Sequence, residues 1–375
     1  MPKHHLLTSI AAGAVLSLSL VACAGTSSGD DAAKTTAASA TSAAAFGGMS
    51  GLVKAAKAEG QLNVIALPAT WANYAKQIAG FQKKYGITVK SSNPDIASAE
   101  EITTADNLKG QSTAPDVFDV GAAVALADSD HFAPYKVSEW ADIPAANKQS
   151  TGLYVNDYTG VMSIGYDADK VPAPTSLNSL LGSKFKGKVT INGDPTEAGA
   201  AASAVELASL QSGGSADNIQ PGIDFFSKLN KAGNFLTVDP TPATVASGET
   251  PVVLDWSYNN LALGTANKGS IDWKTVILPG AALGAYYNQA VNADAPHPAA
   301  ARLWEEYLYS NTAQNTFLAA GALPVRLAAM QKAGTVDKTA LAAVGAPPAD
   351  LTQLTDAQNA KAAKVLSAKW AAAVQ

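Results

Sequence analysis

Asp255-Trp256-Ser257-Tyr258 sets a carboxylate, an indole, a hydroxyl and a phenol within four consecutive residues. Such a set can hold an organic cation, the carboxylate by ion pairing and the rings by cation–π attraction. The same residues suit a structural task equally well, with Trp256 closing a core and Asp255 or Ser257 capping the following helix. Further candidates lie in other short polar segments. Trp71 ends Pro68-Ala69-Thr70-Trp71, and Asp95 ends Ser91-Ser92-Asn93-Pro94-Asp95. Asn192-Gly193-Asp194-Pro195-Thr196-Glu197 offers the amide of Asn192 and the carboxylate of Asp194. Here Asp194 as N-cap, Pro195 in the first turn and Glu197 three residues after the cap predict a helix start. That assigns Glu197 to capping and leaves free amides that could receive an anionic group. Tyr286 and Tyr287 are adjacent on an extended segment and point to opposite faces, with Tyr287 taken as the ring that lines a cleft. Catalytic signatures are missing: no Gly-x-Ser-x-Gly elbow follows a predicted strand, the one match at residues 25–29 falling in the polar segment after Cys23, and there is no zinc-ligand spacing. His131 in a polar loop and His297 between two prolines read as structural. No metal, cofactor or catalytic residue is expected. A secreted hydrolase or lyase using Asp255 or Glu197 as a base is the rival from another class.

The elements that must position these residues alternate. Strands are predicted at residues 62–67, 87–90, 117–120, 187–191 and 252–255. Helices fall between them, at 49–59, 72–84 with Tyr74, Ile78 and Phe81 on one face, and from a Ser98/Glu101 capping box to 109. Alternation of this kind implies an α/β fold with sheets covered on both faces. Ligands in such sheets bind beyond the carboxyl ends of the strands, which is where Trp71, Asp95, Gly121, Asn192 and Asp255 fall. The loops belong to two sheets, so a cleft between lobes is the expected site. Residues 154–166 read as two extended pieces around Thr159-Gly160 that cross between the lobes, and the chain is helical from Pro298 onward.

The amino terminus concerns location. Lys3, His4 and His5 precede an apolar stretch over residues 6–22, which describes a secretory signal peptide. The stretch falls short of a membrane span. Leu20-Val21-Ala22-Cys23 looks like a bacterial lipobox, with a diacylglycerol on Cys23 and cleavage before it. Cys23 is the only cysteine, so disulfides and thiolate chemistry are excluded. Residues 24–48 are Ala, Ser, Thr, Gly and Asp with almost no large apolar side chain, and predict a flexible tether. The net charge of −5 and a pI near 5.4 exclude nucleic acid as partner.

At Ala114-Pro115-Asp116-Val117, Gly165-Tyr166-Asp167, Gly248-Glu249-Thr250-Pro251-Val252-Val253, Ala295-Pro296-His297-Pro298-Ala299-Ala300-Ala301, Leu308-Tyr309-Ser310 with Gln314, and Gly321-Ala322-Leu323-Pro324-Val325-Arg326, the chain resembles an extracellular solute-binding protein of a bacterial ABC importer. The resemblance covers about residues 51–330 and is to the branch that includes ferric-iron, polyamine, thiamine and aminoalkylphosphonate binders. It implies a two-lobed, type II periplasmic-binding-protein-like fold, each lobe a mixed sheet flanked by helices, joined by two crossover strands and closing by hinge motion. It also implies that the run ending at Arg326 is a return loop of the first lobe. Ferric-iron binders carry adjacent tyrosines after the strand matching residues 252–255, whereas this chain has Tyr258 alone there. Polyamine binders place acidic and tryptophan residues near that loop, as Asp255 and Trp256 do. The resulting expectation is a signal peptide at 1–22, a lipidated tether at 23–48, lobe 1 at 49–160 and 288–330, lobe 2 at 161–287, and C-terminal helices at 331–375. The protein is expected to be a monomer on the extracytoplasmic face of the cell membrane, anchored by lipid and partnered by a permease. Its cargo is expected to be a small polar solute, with an organic cation such as a polyamine ahead of ferric iron, an aminoalkylphosphonate or thiamine.

Overall fold

A computed structural model describes residues 34–345, 348 and 350–375; Cys23, the signal segment and the first part of the tether lie outside them. Helix α1 (Met49–Glu59) ends at Gly60, whose φ of 70° needs glycine, and leads into β1 (Gln61–Ile65). Then come α2 (Tyr74–Tyr85), β2 (Thr88–Ser92), α3 (Ser98–Asn107), β3 (Val117–Val120), α4 (Ala122–Ala127) and β4 (Phe132–Ala133). Strand β5 (Val155–Asp167) carries the chain into a second lobe of β6 (Val189–Ile191), α5 (Gly199–Gln211), α6 (Gln220–Lys231), α7 (Pro242–Ser247), β7 (Val252–Trp256), α8 (Ser257–Ala266) and β8 (Trp273–Val276). Strand β9 (Ala282–Asn292) returns to α9 (Pro298–Leu308), α10 (Asn311–Leu318), β10 (Leu323–Pro324), α11 (Leu327–Ala333) and α12 (Lys338–Val344). The chain closes with β11 (Leu351–Thr352) and α13 (Asp356–Ala373).

In the first lobe β1 and β2 are parallel, from Gln61↔Thr88 to Ile65↔Ser92. The Asp116 amide donates to the Asn63 carbonyl at 2.9 Å and sets β3 beside β1. Strand β3 is antiparallel to β9, from Val117↔Val291 to Val120↔Asn288. In the second lobe the far half of β5 lies between β7 and β8, and β6 is parallel to β7. The sheets are therefore mixed, as expected. Strands β5 and β9 pair with each other where they cross, from Val155↔Gln289 to Val161↔Gly284, with a register shift between Asn156 and Thr159. The two extended pieces read in residues 154–166 are one strand, and the bulge re-aims Asp157 and Tyr158.

Two helix starts differ from expectation. Helix α5 begins at Gly199, because Asp194 Oδ1 accepts the Thr196 amide at 2.7 Å and its hydroxyl at 2.6 Å in a closed turn. Asp194 caps no helix, and Glu197 is released from capping. At α3 the carboxylate that reaches back is Glu100, to the Ala97 amide at 2.9 Å. Ser98 Oγ instead accepts the Gly121 amide at 3.1 Å, and Glu101 accepts that of Asp119 at 3.2 Å. Two segments of the resemblance have structural tasks. Asp116 takes the Asn63 amide at 2.6 Å and the His297 amide and Nδ1 at 2.7 and 2.9 Å. Buried Arg326 donates to the Tyr309 carbonyl and to Asp142 and Glu139, at 2.6 and 3.0 Å for the two carboxylates.

The tether expectation also needs correction over residues 34–48. Residues 34–39 are helical, and Ala37, Ala40 and Ala43 are buried. Alanine side chains bring little apolar surface but let the backbone approach closely. Arg302, 1% exposed, donates from Nε to the Ala40 carbonyl at 2.7 Å and from Nη2 to that of Ala38 at 2.6 Å. Burial lowers its pKa to about 10, so these carbonyls hold a charge the core would otherwise reject. A chain starting at Met49 would leave two guanidinium donors unpaired. Its melting temperature is expected to fall by about 5 °C or more in thermal denaturation, at about 1–3 kcal/mol per lost partner. An unchanged value would show that the segment contributes nothing to the core.

Candidate functional site

The loops after β1, β2 and β6 and the ends of β3 and β7 surround a cavity of about 690 Å³ between the lobes, within the range for small-molecule sites. Trp71, Asp95, Asn192, Asp194, Asp255 and Tyr287 all line it. All four non-glycine residues with positive φ, among the described ones, are at the exits of β1 and β2: Ala66, Ala72, Asn73 and Asn93. Backbone held in that region is strained, and here it turns the loops into the cleft.

Asp255 is 3% exposed, with its carboxylate held on three sides. Oδ1 accepts the Trp256 amide at 2.7 Å, and Oδ2 accepts Asn192 Nδ2 and Asn259 Nδ2, each at 3.0 Å. Burial still pushes its pKa up to about 7, against those hydrogen bonds. Across the cleft Asp119 is 6% exposed and is likewise raised by burial to about 7. Its Oδ2 accepts the Tyr74 hydroxyl at 2.6 Å, and Oδ1 has no hydrogen-bond partner. Behind it Glu101 and Asp157 are held well above the usual carboxylate range, first by burial and then by the Asp119 charge. Asp157 also accepts Gln289 Nε2 at 2.9 Å.

Between the two carboxylates stand rings. Trp71 Nε1 donates to the Tyr158 hydroxyl at 2.6 Å, which fixes the indole. Its ring meets Tyr287 edge-on at 5.5 Å and 87°, and Tyr258 at 5.8 Å and 71°. Eight carboxyl groups line the cavity, from Asp95, Glu100, Glu101, Asp119, Asp194, Glu197, Asp239 and Asp255, and no Lys, Arg or His joins them among the described residues.

Two sequence candidates are elsewhere. Trp256 follows Asp255 on β7 and so points to the opposite face of the sheet; it is 1% exposed and borders a small pocket that adjoins the cavity at Glu197, Gly199 and Tyr287. Tyr258 is fully buried and does not line the cavity, packing behind Trp71 and against Tyr158 at 5.5 Å. Sequence reasoning missed Asp119, Glu101, Asn259 and the supporting Tyr158. A carboxylate inside the buried run Val117-Phe118-Asp119-Val120 was the available signal.

Helix α13 spans the lobes. It packs on α4 of the first lobe and on α5 and α6 of the second. Near its start Asp356 accepts the Tyr154 hydroxyl at 3.4 Å, and near its end Lys369 Nζ donates to Gln220 at 2.6 Å. The lobes also touch directly. A Cβ on Gly121 would lie 3.2 Å from the Gly199 Cα, and one on Gly199 3.3 Å from the Gly121 Cα. The arrangement is a closed cleft.

The family described as bacterial extracellular solute-binding protein matches residues 112–346. No curated protein matches the chain. Among solved structures the chain is similar to the periplasmic binding protein AfuA of Actinobacillus pleuropneumoniae with fructose-6-phosphate, at 16% identity and a TM-score of 0.66, covering 84% of this chain and 98% of that one. MotA of A. tumefaciens B6 with glucopine gives 17% identity and 0.66, covering 84% and 100%. Iron-bound HitA of Pseudomonas aeruginosa gives 20% and 0.60, covering 82% and 97%. At these identities the likeness shows the fold, that of type II periplasmic binding proteins.

Proposed function

The chain belongs to the bacterial extracellular solute-binding protein family, the non-enzymatic solute-binding components of ABC transporters, and from that premise we propose that its cleft captures a small organic cation bearing an ammonium group. The carrying observation is the lining of eight carboxyl groups without a cationic side chain. A phosphate such as that of the AfuA ligand would find no cationic side chain on this lining. A ferric ion held by paired phenolates, the alternative within the fold, finds Tyr258 buried away from the cavity and Tyr286 not on its lining. An ammonium ion would instead gain the buried, unpartnered Oδ1 of Asp119, the Asp255 carboxylate and the ring walls of Trp71 and Tyr287. Capture stabilises the closed form in which those groups face one another. A hydrolase or lyase with Asp255 or Glu197 as base has no place in this family. In the proposal the protein is a monomer held at the extracytoplasmic face by lipid on Cys23, handing its cargo to a permease.

Isothermal titration with spermidine, putrescine, choline and alkylamines tests the reading, with ferric citrate and glucose 6-phosphate as controls. At least one amine is expected to bind, with affinity rising with pH. Asp119 and Asp255 are mostly protonated below about pH 7, so a cation must displace their protons. Affinity is expected to fall up to tenfold per pH unit per displaced proton on going from pH 7 to 5.5. Binding of an anion and no amine would overturn the cation reading. Amine affinity flat across that range would remove the buried carboxyls from the site.

A further inference from the structure

Two asparagines share one carboxylate at the end of the second-lobe sheet. Strands β6 and β7 are parallel with Ile191 opposite Leu254, so the next residues, Asn192 and Asp255, leave the sheet side by side. Asn259 is the third residue of α8, which follows β7 directly. Each asparagine donates its Nδ2 to Asp255 Oδ2, both at 3.0 Å. A carboxylate only accepts hydrogen bonds. These contacts therefore decide which way round each planar amide stands, with nitrogen on Asp255 and oxygen turned away from it.

Both amide oxygens are left over. No donor among the described residues reaches Oδ1 of Asn192 or of Asn259. Both residues line the cavity, and neither oxygen is sealed from it as Asp119 Oδ1 is. Asp255 has less to present, because Oδ2 takes the two asparagine amides, Oδ1 takes that of Trp256 and the residue is 3% exposed. The rings on the same lining, Trp71 and Tyr287, attract a cation whatever its substituents, since cation–π attraction needs no N–H group. Amide oxygens are more demanding, because they hold an ammonium through its N–H donors.

Resting on the cation reading above, we infer that Asn192 and Asn259 determine specificity: their oxygens, oriented by Asp255, take N–H donors of the cargo's ammonium and select it over a quaternary one. A primary ammonium has three donors and can satisfy both oxygens at once. A trimethylammonium covers them with methyl groups and leaves two desolvated acceptors unpaired, which is how a polar site rejects an analogue lacking its donor.

Ethanolamine against choline, propylamine against trimethylpropylammonium, and putrescine against its hexamethyl derivative are titrated into the purified protein at pH 8. Each pair keeps the charge and the carbon skeleton and differs in N–H donors. The member with N–H groups is expected to bind more tightly by about tenfold or more. Asn192→Ala should cut that ratio about tenfold while the methylated member's affinity stays within about threefold, a split that loss of structure alone does not produce. Asn259→Ala should do the same and stands in if the first variant fails to fold. Methylated members that bind as tightly as their partners, or a ratio unchanged in both variants, overturn the selection by amide oxygens and leave the cation reading standing. Failure of every one of these cations to bind overturns both.

Discussion

Asp255→Asn is expected to weaken amine binding at pH 8 by about a hundredfold and to flatten the pH dependence of the empty protein's stability. The first effect follows from removing a desolvated charge that faces the ligand ammonium, a change that costs about 2–5 kcal/mol at buried charge pairs. Asparagine keeps the size of the side chain and an oxygen for Asn192 and Asn259, and loses the acceptor of the Trp256 amide. The second effect has a definite sign. The Asp255 pKa rises from the model-peptide value of 3.8 unfolded to about 7 folded. Between those values the folded state binds more protons than the unfolded one, so stability is greatest at low pH and declines as pH rises through 7. The variant lacks this contribution, and its melting temperature should drop less between pH 5 and 8 than that of the native chain. Retention of native affinity at pH 8 would remove Asp255 from the site. A pH slope equal to the native one would mean that the carboxyl is ionised throughout.

Gly199→Val is expected to weaken binding by about ten- to a hundredfold with little change in melting temperature. Gly199 has no left-handed φ, so valine is allowed there by the backbone alone. Its obstacle is the Gly121 Cα, 3.3 Å from where a Cβ would stand, and the γ-methyls project further. The contact joins the two lobes only when the cleft is shut, so the clash falls on the closed form. Overpacking costs about 1–3 kcal/mol, and affinity falls by the same factor as the population of the competent form. Small-angle scattering should show that ligand no longer compacts the variant. Unchanged affinity together with normal compaction would show that the lobes tolerate the wedge and that Gly121 and Gly199 do not set closure.

Much of the site was legible because strand–loop alternation carries its own geometric rule. Residues just past the carboxyl ends of β1, β2, β6 and β7 were bound to converge, and Trp71, Asp95, Asn192, Asp194 and Asp255 do line one cavity. Where that rule was applied without the two-residue period it misled. Trp256 adjoins Asp255 in sequence and therefore faces away from it in a strand. Asp119 takes the hydroxyl of Tyr74, 45 positions earlier, and its charge acts on Glu101 and Asp157, none of which has a local signature. Asp194 was misjudged because an Asx turn and an N-cap use the same side chain, and only the following backbone decides between them. Residues 34–48 were read as too poor in apolar surface to order. Their docking rests on a guanidinium 262 and 264 positions away in the chain.

The pairing of β5 with β9 at the crossing, from Thr159↔Tyr286 to Val161↔Gly284, limits how the molecule can move. Two separate connectors could shear, twist or bend independently. Strands stitched edge to edge form a ribbon, stiff within its plane and pliant only out of it. Movement of the lobes is then confined to a bend out of that plane, one that α13, packed on both lobes, must follow or release.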